Sequence, residues 1–225
     1  MAYQPSYRAK ATHWPPFRRV AEDLARWLTN VFGAALLLAL LALPMLLVAL
    51  LIRLEDRGPA LFRQERVGLS GRRFTMLKFR TMSVGVSDSA LRELIARELA
   101  GEETVVNGSS KIDGDQRVTQ VGAFLRRTSL DEIPQLINVL RGEMALVGPR
   151  PCLRWEAEMF PVEYASRFTV RPGLTGLWQV SGRSTLTTLD MLRLDVRYVR
   201  TRTLWTDLVI LFRTVPVLLR RDGAR

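Results

Sequence analysis

Asp131 and Glu132 stand side by side in this chain, with Arg126 and Arg127 just upstream and Arg150 downstream in Gly148-Pro-Arg-Pro151. Adjacent carboxylates among cations suit a divalent metal and a phosphate ester. The carboxylates offer hard oxygen ligands, and arginine forks grip phosphate oxygens in pairs. Consecutive positions of a regular helix point about 100° apart, so the pair meets one ligand only where the helix begins. Pro134 marks such a beginning, because proline is tolerated only in the first turn. In that frame Asp131 is an N-cap beside free amides that favour anions. A competing frame uses Ser129-Leu-Asp-Glu132 as a capping box, and the acidic pair is then purely structural. The residues alone leave both frames open.

Other residues invite the same questions. Lys78 and Arg80 share one face of a predicted strand, which is either a phosphate-binding face or a solvated one. Arg171-Pro-Gly173 is a second stiff turn that would hold an arginine still. Asp113-Gly-Asp115 imitates an Asp-x-Asp metal motif within a polar loop. The sole histidine, His13, lies in the N-terminal tail and anchors neither a triad nor a zinc site. No glycine-rich phosphate loop of the Gly-x-x-x-x-Gly-Lys or Gly-x-Gly-x-x-Gly type is present.

The elements that must position these groups follow from pattern. The chain has 225 residues, 48% of them hydrophobic, and a formal net charge of +11. That is room for one domain plus a membrane element. The charge suits an anionic membrane surface, phosphorylated substrates or nucleic acid. Val31 to Ile52 carries no charge and is long enough to cross a bilayer, which favours the first two over nucleic acid. No small-residue cleavage site follows the run, so a removable signal peptide is not expected. Basic residues flank both ends, and the positive-inside rule disfavours translocating either flank. A helix that enters, bends at Pro44 and returns keeps both flanks on one side; a kinked span is the alternative. Cys152, the single cysteine, excludes an internal disulfide and reads as a small buried side chain.

Residues 60–82 predict a β-hairpin about the turn Gly68-Leu-Ser-Gly71. Leu91, Leu94, Ile95 and Leu99 share a face of a helix over 89–100, and Ile133, Leu136, Ile137 and Leu140 share one over 131–141. Residues 101–117 read as a mobile polar loop. A helix is predicted over 187–201, and an interfacial helix over Leu204 to Leu219.

The ordered blocks resemble a known family, the monotopic phosphoglycosyl transferases of bacterial sugar-polymer assembly. They are Phe62-Arg-Gln-Glu-Arg-Val-Gly, Lys78-Phe-Arg-Thr-Met, Asp115-x-Arg-Val-Thr-x-Val-Gly and Leu125-Arg-Arg-Thr-Ser-Leu-Asp-Glu-Ile-Pro-Gln-Leu. Further on come Asn138-Val-Leu-Arg-Gly-Glu-Met, Val147-Gly-Pro-Arg-Pro, the 171–183 block, Leu194-Asp-Val-Arg-Tyr and Asp207-Leu-Val-Ile. The resemblance implies transfer of a sugar-1-phosphate from a UDP-sugar to polyprenyl phosphate, with release of UMP. It implies Asp131 as the nucleophile, Glu132 as a ligand of magnesium (Mg2+), and Arg126 as a phosphate holder. Lys78, Arg150 and Asp195 match polar positions near the site, Arg80 joins Lys78 as a phosphate-binding candidate by its shared strand face, and Arg171, Gln179 and Arg183 fall in a block for nucleotide or acceptor. It also favours the re-entrant helix and the cytoplasmic face of the bacterial inner membrane. Relatives often place a serine before the bending proline, where this chain has Leu43. The 84–114 loop points to the hexose-phosphate branch, and the lack of a multi-span region before residue 31 to a compact form.

The expected fold is α+β: a mostly helical, membrane-associated catalytic domain over 54–225 with a short β-hairpin. A re-entrant helix over 30–53 precedes it, after a basic, aromatic segment over 1–29. Expected partners are the UDP-sugar, polyprenyl phosphate and the lipid bilayer, with no nucleic acid; a homodimer stays open. One rival is a metal-dependent glycosyltransferase that uses Asp113 and Asp115 and releases UDP. Another is a basic membrane scaffold without catalysis.

Overall fold

The computed structural model describes residues 16–82, 89–102, 104, 118–182 and 186–220. The polar loop with Asp113 and Asp115, the first fifteen residues of the tail, most of the 84–114 loop and Arg183 lie outside them. Helix α1 (Pro16–Glu55) is 40 residues long, about 60 Å at the usual rise. Its leucine- and alanine-rich sequence favours helix, and Gly58-Pro59 follows its end. It starts well before residue 30, and helical structure continues through Pro44.

One stripe of α1 faces the domain at helical spacing. Ala34, Leu38 and Leu41 join one core cluster, around Leu136, Val139, Met144 and Leu146. Met45, Val48, Ala49 and Ile52 join a second, around Phe79 and Leu125. The rest of the helix is bare: Leu36, Leu40, Leu43, Leu46, Leu47, Leu50, Leu51 and Leu54 are exposed. Both ends are tied to the same domain. Near the start, Arg26 lies 3.5 Å from Asp207, and Asn30 Oδ1 accepts from the Leu146 amide at 2.7 Å. At the end, Glu55 accepts from the amides of Gln120 at 2.7 Å and Val121 at 3.2 Å, the first free donors of the next helix but one.

Strands β1 (Leu61–Val67) and β2 (Arg73–Phe79) form the expected antiparallel hairpin, with Phe62 opposite Lys78. Its turn needs left-handed backbone at Ser70 and Gly71. Helix α2 (Ser89–Leu99) matches its predicted bounds closely, and α3 (Gln120–Thr128) follows, capped by the Thr119 side chain. Gly122 sits where α3 crosses the hairpin, and a Cβ there would meet the Thr81 carbonyl oxygen at 2.1 Å.

The acidic pair departs from both capping frames. Asp131 and Glu132 occupy a separate 3-10 turn, Leu130–Glu132, and Ser129 before it is left-handed with no side-chain cap. Helix α4 (Gln135–Leu140) begins only after Pro134, which is itself the N-cap. Strands β3 (Ala145–Val147) and β4 (Gly173–Thr175) pair in parallel, a second small sheet that the pattern did not predict. Their backbones touch: a Cβ on Gly173 would lie 2.0 Å from the Gly148 nitrogen. Helices α5 (Arg154–Met159), α6 (Thr188–Thr201) and α7 (Leu204–Arg220) complete the described fold, with Trp205, Phe212 and Val215 of α7 exposed. The architecture is α+β, with short strands placed among helices.

Candidate active site

Three elements meet at the acidic pair. The 3-10 turn offers Asp131 and Glu132, β2 offers Lys78, and the turn after β3 offers Arg150. Lys78 Nζ lies 2.9 Å from Glu132 Oε1 and 3.7 Å from Asp131 Oδ2. Arg150 Nη1 donates to the same Glu132 oxygen at 3.2 Å. Glu132 is thus gripped by two cations, while the ion pair of Asp131 among the described residues is the longer approach of Lys78. The left-handed Ser129 makes this arrangement, because it turns the chain sharply out of α3 and releases the pair from helical spacing.

Electrostatics separates the two roles further. Burial pushes the Asp131 carboxyl above the ordinary carboxylate range, and neighbouring Glu132 adds to the rise; Lys78, Arg150 and Arg126 oppose it. The negative charge of Glu132 raises Arg150 above the ordinary guanidinium value against its desolvation.

These groups open on a cleft of about 420 Å3. Asp131, Glu132, Lys78, Arg126, Arg150, Gln179 and Asp195 all line it. The lining also has an apolar part, made of Leu91, Leu94 and Ile95 of α2 with Trp178, Met191 and Leu192. The predicted apolar face of α2 is therefore a wall of the cleft.

Two expected phosphate-binding arginines stand elsewhere. Arg80 follows the last residue of β2 and turns under Gly58, where it donates to the Asp56 carbonyl at 2.6 Å and lies 3.3 Å from the Asp56 carboxylate. Arg171 is held by the Gly142 carbonyl at 2.8 Å, outside the cleft. Strand alternation placed Arg80 beside Lys78, but the strand ends before it.

Asp195 is in the wall yet committed: Arg167 donates to its Oδ2 through Nη2 at 2.8 Å and Nε at 3.1 Å. Sequence reasoning missed Arg167, along with Arg66 and Trp178. Trp178 lay inside the recognised 171–183 block and could have been named; Arg167 carries no local signal, because its burial is entirely tertiary.

Among the described residues no group of three or more acidic, histidine or cysteine side chains gathers as a metal cage. Magnesium does not require one, since it binds through one or two carboxylates plus substrate phosphates and water. The donor set here, two carboxylates beside phosphate-seeking cations, fits that mode.

The chain matches the sequence profile of the bacterial sugar transferases over residues 21–221. It is 46% identical over 217 residues to the UDP-glucose:undecaprenyl-phosphate glucose-1-phosphate transferase of Caulobacter vibrioides, covering 93% of this chain and 75% of that protein. It is 42% identical over 212 residues to the UDP-galactose-lipid carrier transferase of Erwinia amylovora, covering 92% of this chain and 44% of that one. Against the undecaprenyl-phosphate galactose phosphotransferase of Salmonella typhimurium it is 40% identical over 208 residues, covering 91% and 43%. It thus spans three quarters of the first relative and less than half of the other two. A profile match across the apolar helix α1, the acidic pair and the cleft walls means that the chain belongs to the bacterial sugar transferase family.

Proposed function

We propose that this protein transfers a hexose-1-phosphate from a UDP-sugar to undecaprenyl phosphate, through a covalent phosphosugar on Asp131. The observation that carries the reading is the unequal treatment of the two carboxylates. Glu132 is neutralised at 2.9 and 3.2 Å by Lys78 and Arg150, whereas Asp131 is desolvated and less closely paired. The less neutralised oxygen is the better nucleophile.

A carboxylate oxygen of Asp131 attacks the sugar-bearing phosphorus of the donor. The bond from that phosphorus to the bridging oxygen breaks, and UMP departs with the electron pair. Lys78, Arg126 and Arg150 line the cleft where negative charge builds on the diphosphate and on UMP. The phosphate oxygen of the lipid then attacks the same phosphorus, and the Asp131 carboxylate is released unchanged. Magnesium would be held by Glu132, next to Asp131; when bound it supplies positive charge to the phosphoryl oxygens.

The membrane reading has its own support. The exposed leucines of α1 need a lipid environment. Contacts at both Arg26 and Glu55 keep the two ends of the helix at one domain, as a re-entrant helix requires. The catalytic domain then sits on the cytoplasmic face, where UDP-sugars are available. The names of the relatives support the donor and the lipid acceptor, and both glucose and galactose occur among them.

The test uses the full chain in lipid nanodiscs with UDP-glucose or UDP-galactose labelled at the sugar-bearing phosphorus. Without lipid acceptor, about one equivalent of UMP and a labelled protein are expected, and undecaprenyl phosphate should chase the label into lipid. Release of UDP, or UMP without protein-bound label, would overturn the covalent route.

A further inference from the structure

We propose that Arg167, held by Asp195, is a positioning residue for Arg150: it fixes the backbone of the Gly148–Cys152 turn and thereby aims the Arg150 guanidinium at Glu132 and the donor phosphates. The inference rests on the reading of the cleft given above.

The turn is anchored along its whole length. Gly148 donates to the Thr175 carbonyl at 2.9 Å, and the Pro149 carbonyl accepts from Gly173 at 2.8 Å. Arg167 Nη2 donates to the Arg150 carbonyl at 2.8 Å. Arg66 Nη1 approaches the Pro151 carbonyl at 3.5 Å, and the Cys152 carbonyl accepts from Val67 at 2.9 Å. Four consecutive carbonyls thus have donors, and only the one on Arg150 itself depends on Arg167.

The side chain behaves differently from its backbone. Arg150 remains 41% exposed toward the cleft, whereas Arg167 and Asp195 are 5% and 3% exposed. The guanidinium of Arg167 is further confined by the rings of Phe160 and Phe168, at 5.1 and 5.2 Å. A rigid backbone with an open side chain presents a charge at a fixed point. An unrestrained one would have to be ordered at each turnover.

Stability does not account for the pair. Taking two charges out of water costs several kcal/mol per ion, and apolar replacements of buried pairs are often as stable. The pair instead joins the 3-10 segment Val162–Thr169 to α6, and Arg167 reaches from it to the Cys152 thiol and to the carbonyl of a cleft residue.

The test is a double-mutant cycle on UMP release by the full chain in nanodiscs, with Arg150→Ala, Arg167→Lys and the combination. Lysine keeps the charge but cannot reach Asp195 and the Arg150 carbonyl together. Each single change should lower kcat/KM about 10²-fold, the scale of a small misplacement. The double variant should fall little below the worse single one, because Arg167 acts through Arg150. Multiplying losses would overturn the proposal, as would unchanged kcat/KM in Arg167→Lys. Thermal unfolding follows each variant; if Arg167→Lys does not fold, Asp195→Asn, nearly the same shape, replaces it in the cycle. Failure of the parent reading looks different, because wild-type protein would then release UDP, or UMP with no label left on the protein.

Discussion

The Leu77 amide donates to Asn138 Oδ1 at 3.0 Å, so the helix that follows the acidic pair is stitched to the strand that carries Lys78. The same side chain donates to the Thr75 carbonyl at 2.7 Å and to Glu143 at 2.6 Å. Asn138 is fully buried and has no solvent to fall back on. Asn138→Ala orphans the Leu77 amide and the Thr75 carbonyl, at about 1–3 kcal/mol for each unsatisfied group. A lower midpoint of thermal unfolding in detergent is expected, together with a lower kcat, since β2 loses its lateral support. An unchanged midpoint would contradict the stitching role.

Asp131→Asn should abolish UMP release and protein labelling at saturating donor. The amide keeps the shape but lacks the nucleophilic oxygen. Glu132→Gln keeps Asp131 yet removes the charge that pairs with Lys78 and Arg150, so its activity should require more magnesium. A magnesium titration of UMP release that superimposes on wild type would count against Glu132 as the ligand.

Lys78→Met removes a cation that approaches both carboxylates. Preorganised charge of this kind is worth about 10²–10³ in turnover at other sites, and a loss of that order is expected in kcat. Steady-state kinetics decides the matter: a rise in KM alone would make Lys78 a binding group only.

Burial raises the Cys152 thiol above its ordinary value, against the lowering influence of Arg167. A raised value means less thiolate at any given pH, and the sulfur is buried as well. Folded protein should therefore resist maleimide or iodoacetamide near neutral pH, whereas denatured protein reacts at once. Mass spectrometry reads the difference. Rapid labelling of the folded chain would show that the 148–152 turn opens readily.

Much of this arrangement was legible because it is written in local chemistry. Gly68-Leu-Ser-Gly71 announced the hairpin, and the leucines of α2 announced its helix by spacing. Pro134 signalled correctly that α4 begins near the acidic pair, but the left-handed Ser129 was invisible, since serine carries no preference for that conformation. Strands β3 and β4 are three residues each and pair across 28 positions, too short and too distant for a period-2 signal. The fates of the arginines were the least legible. Arg80, Arg150, Arg167 and Arg171 look alike in sequence, and only tertiary partners such as Asp56, Glu132, Asp195 and the Gly142 carbonyl tell them apart.

The inner stripe of α1 also bears on how the protein can be handled. Ala34 and Ile52 are as deeply packed as Leu136 or Phe79, so the helix completes the hydrophobic interior of the domain as well as carrying an exposed apolar face. A fragment starting after Glu55, made in the hope of a water-soluble enzyme, would lack one wall of its own core and the carboxylate cap on α3. It should aggregate or bind detergent on the newly bared surface instead of yielding a free-standing catalyst.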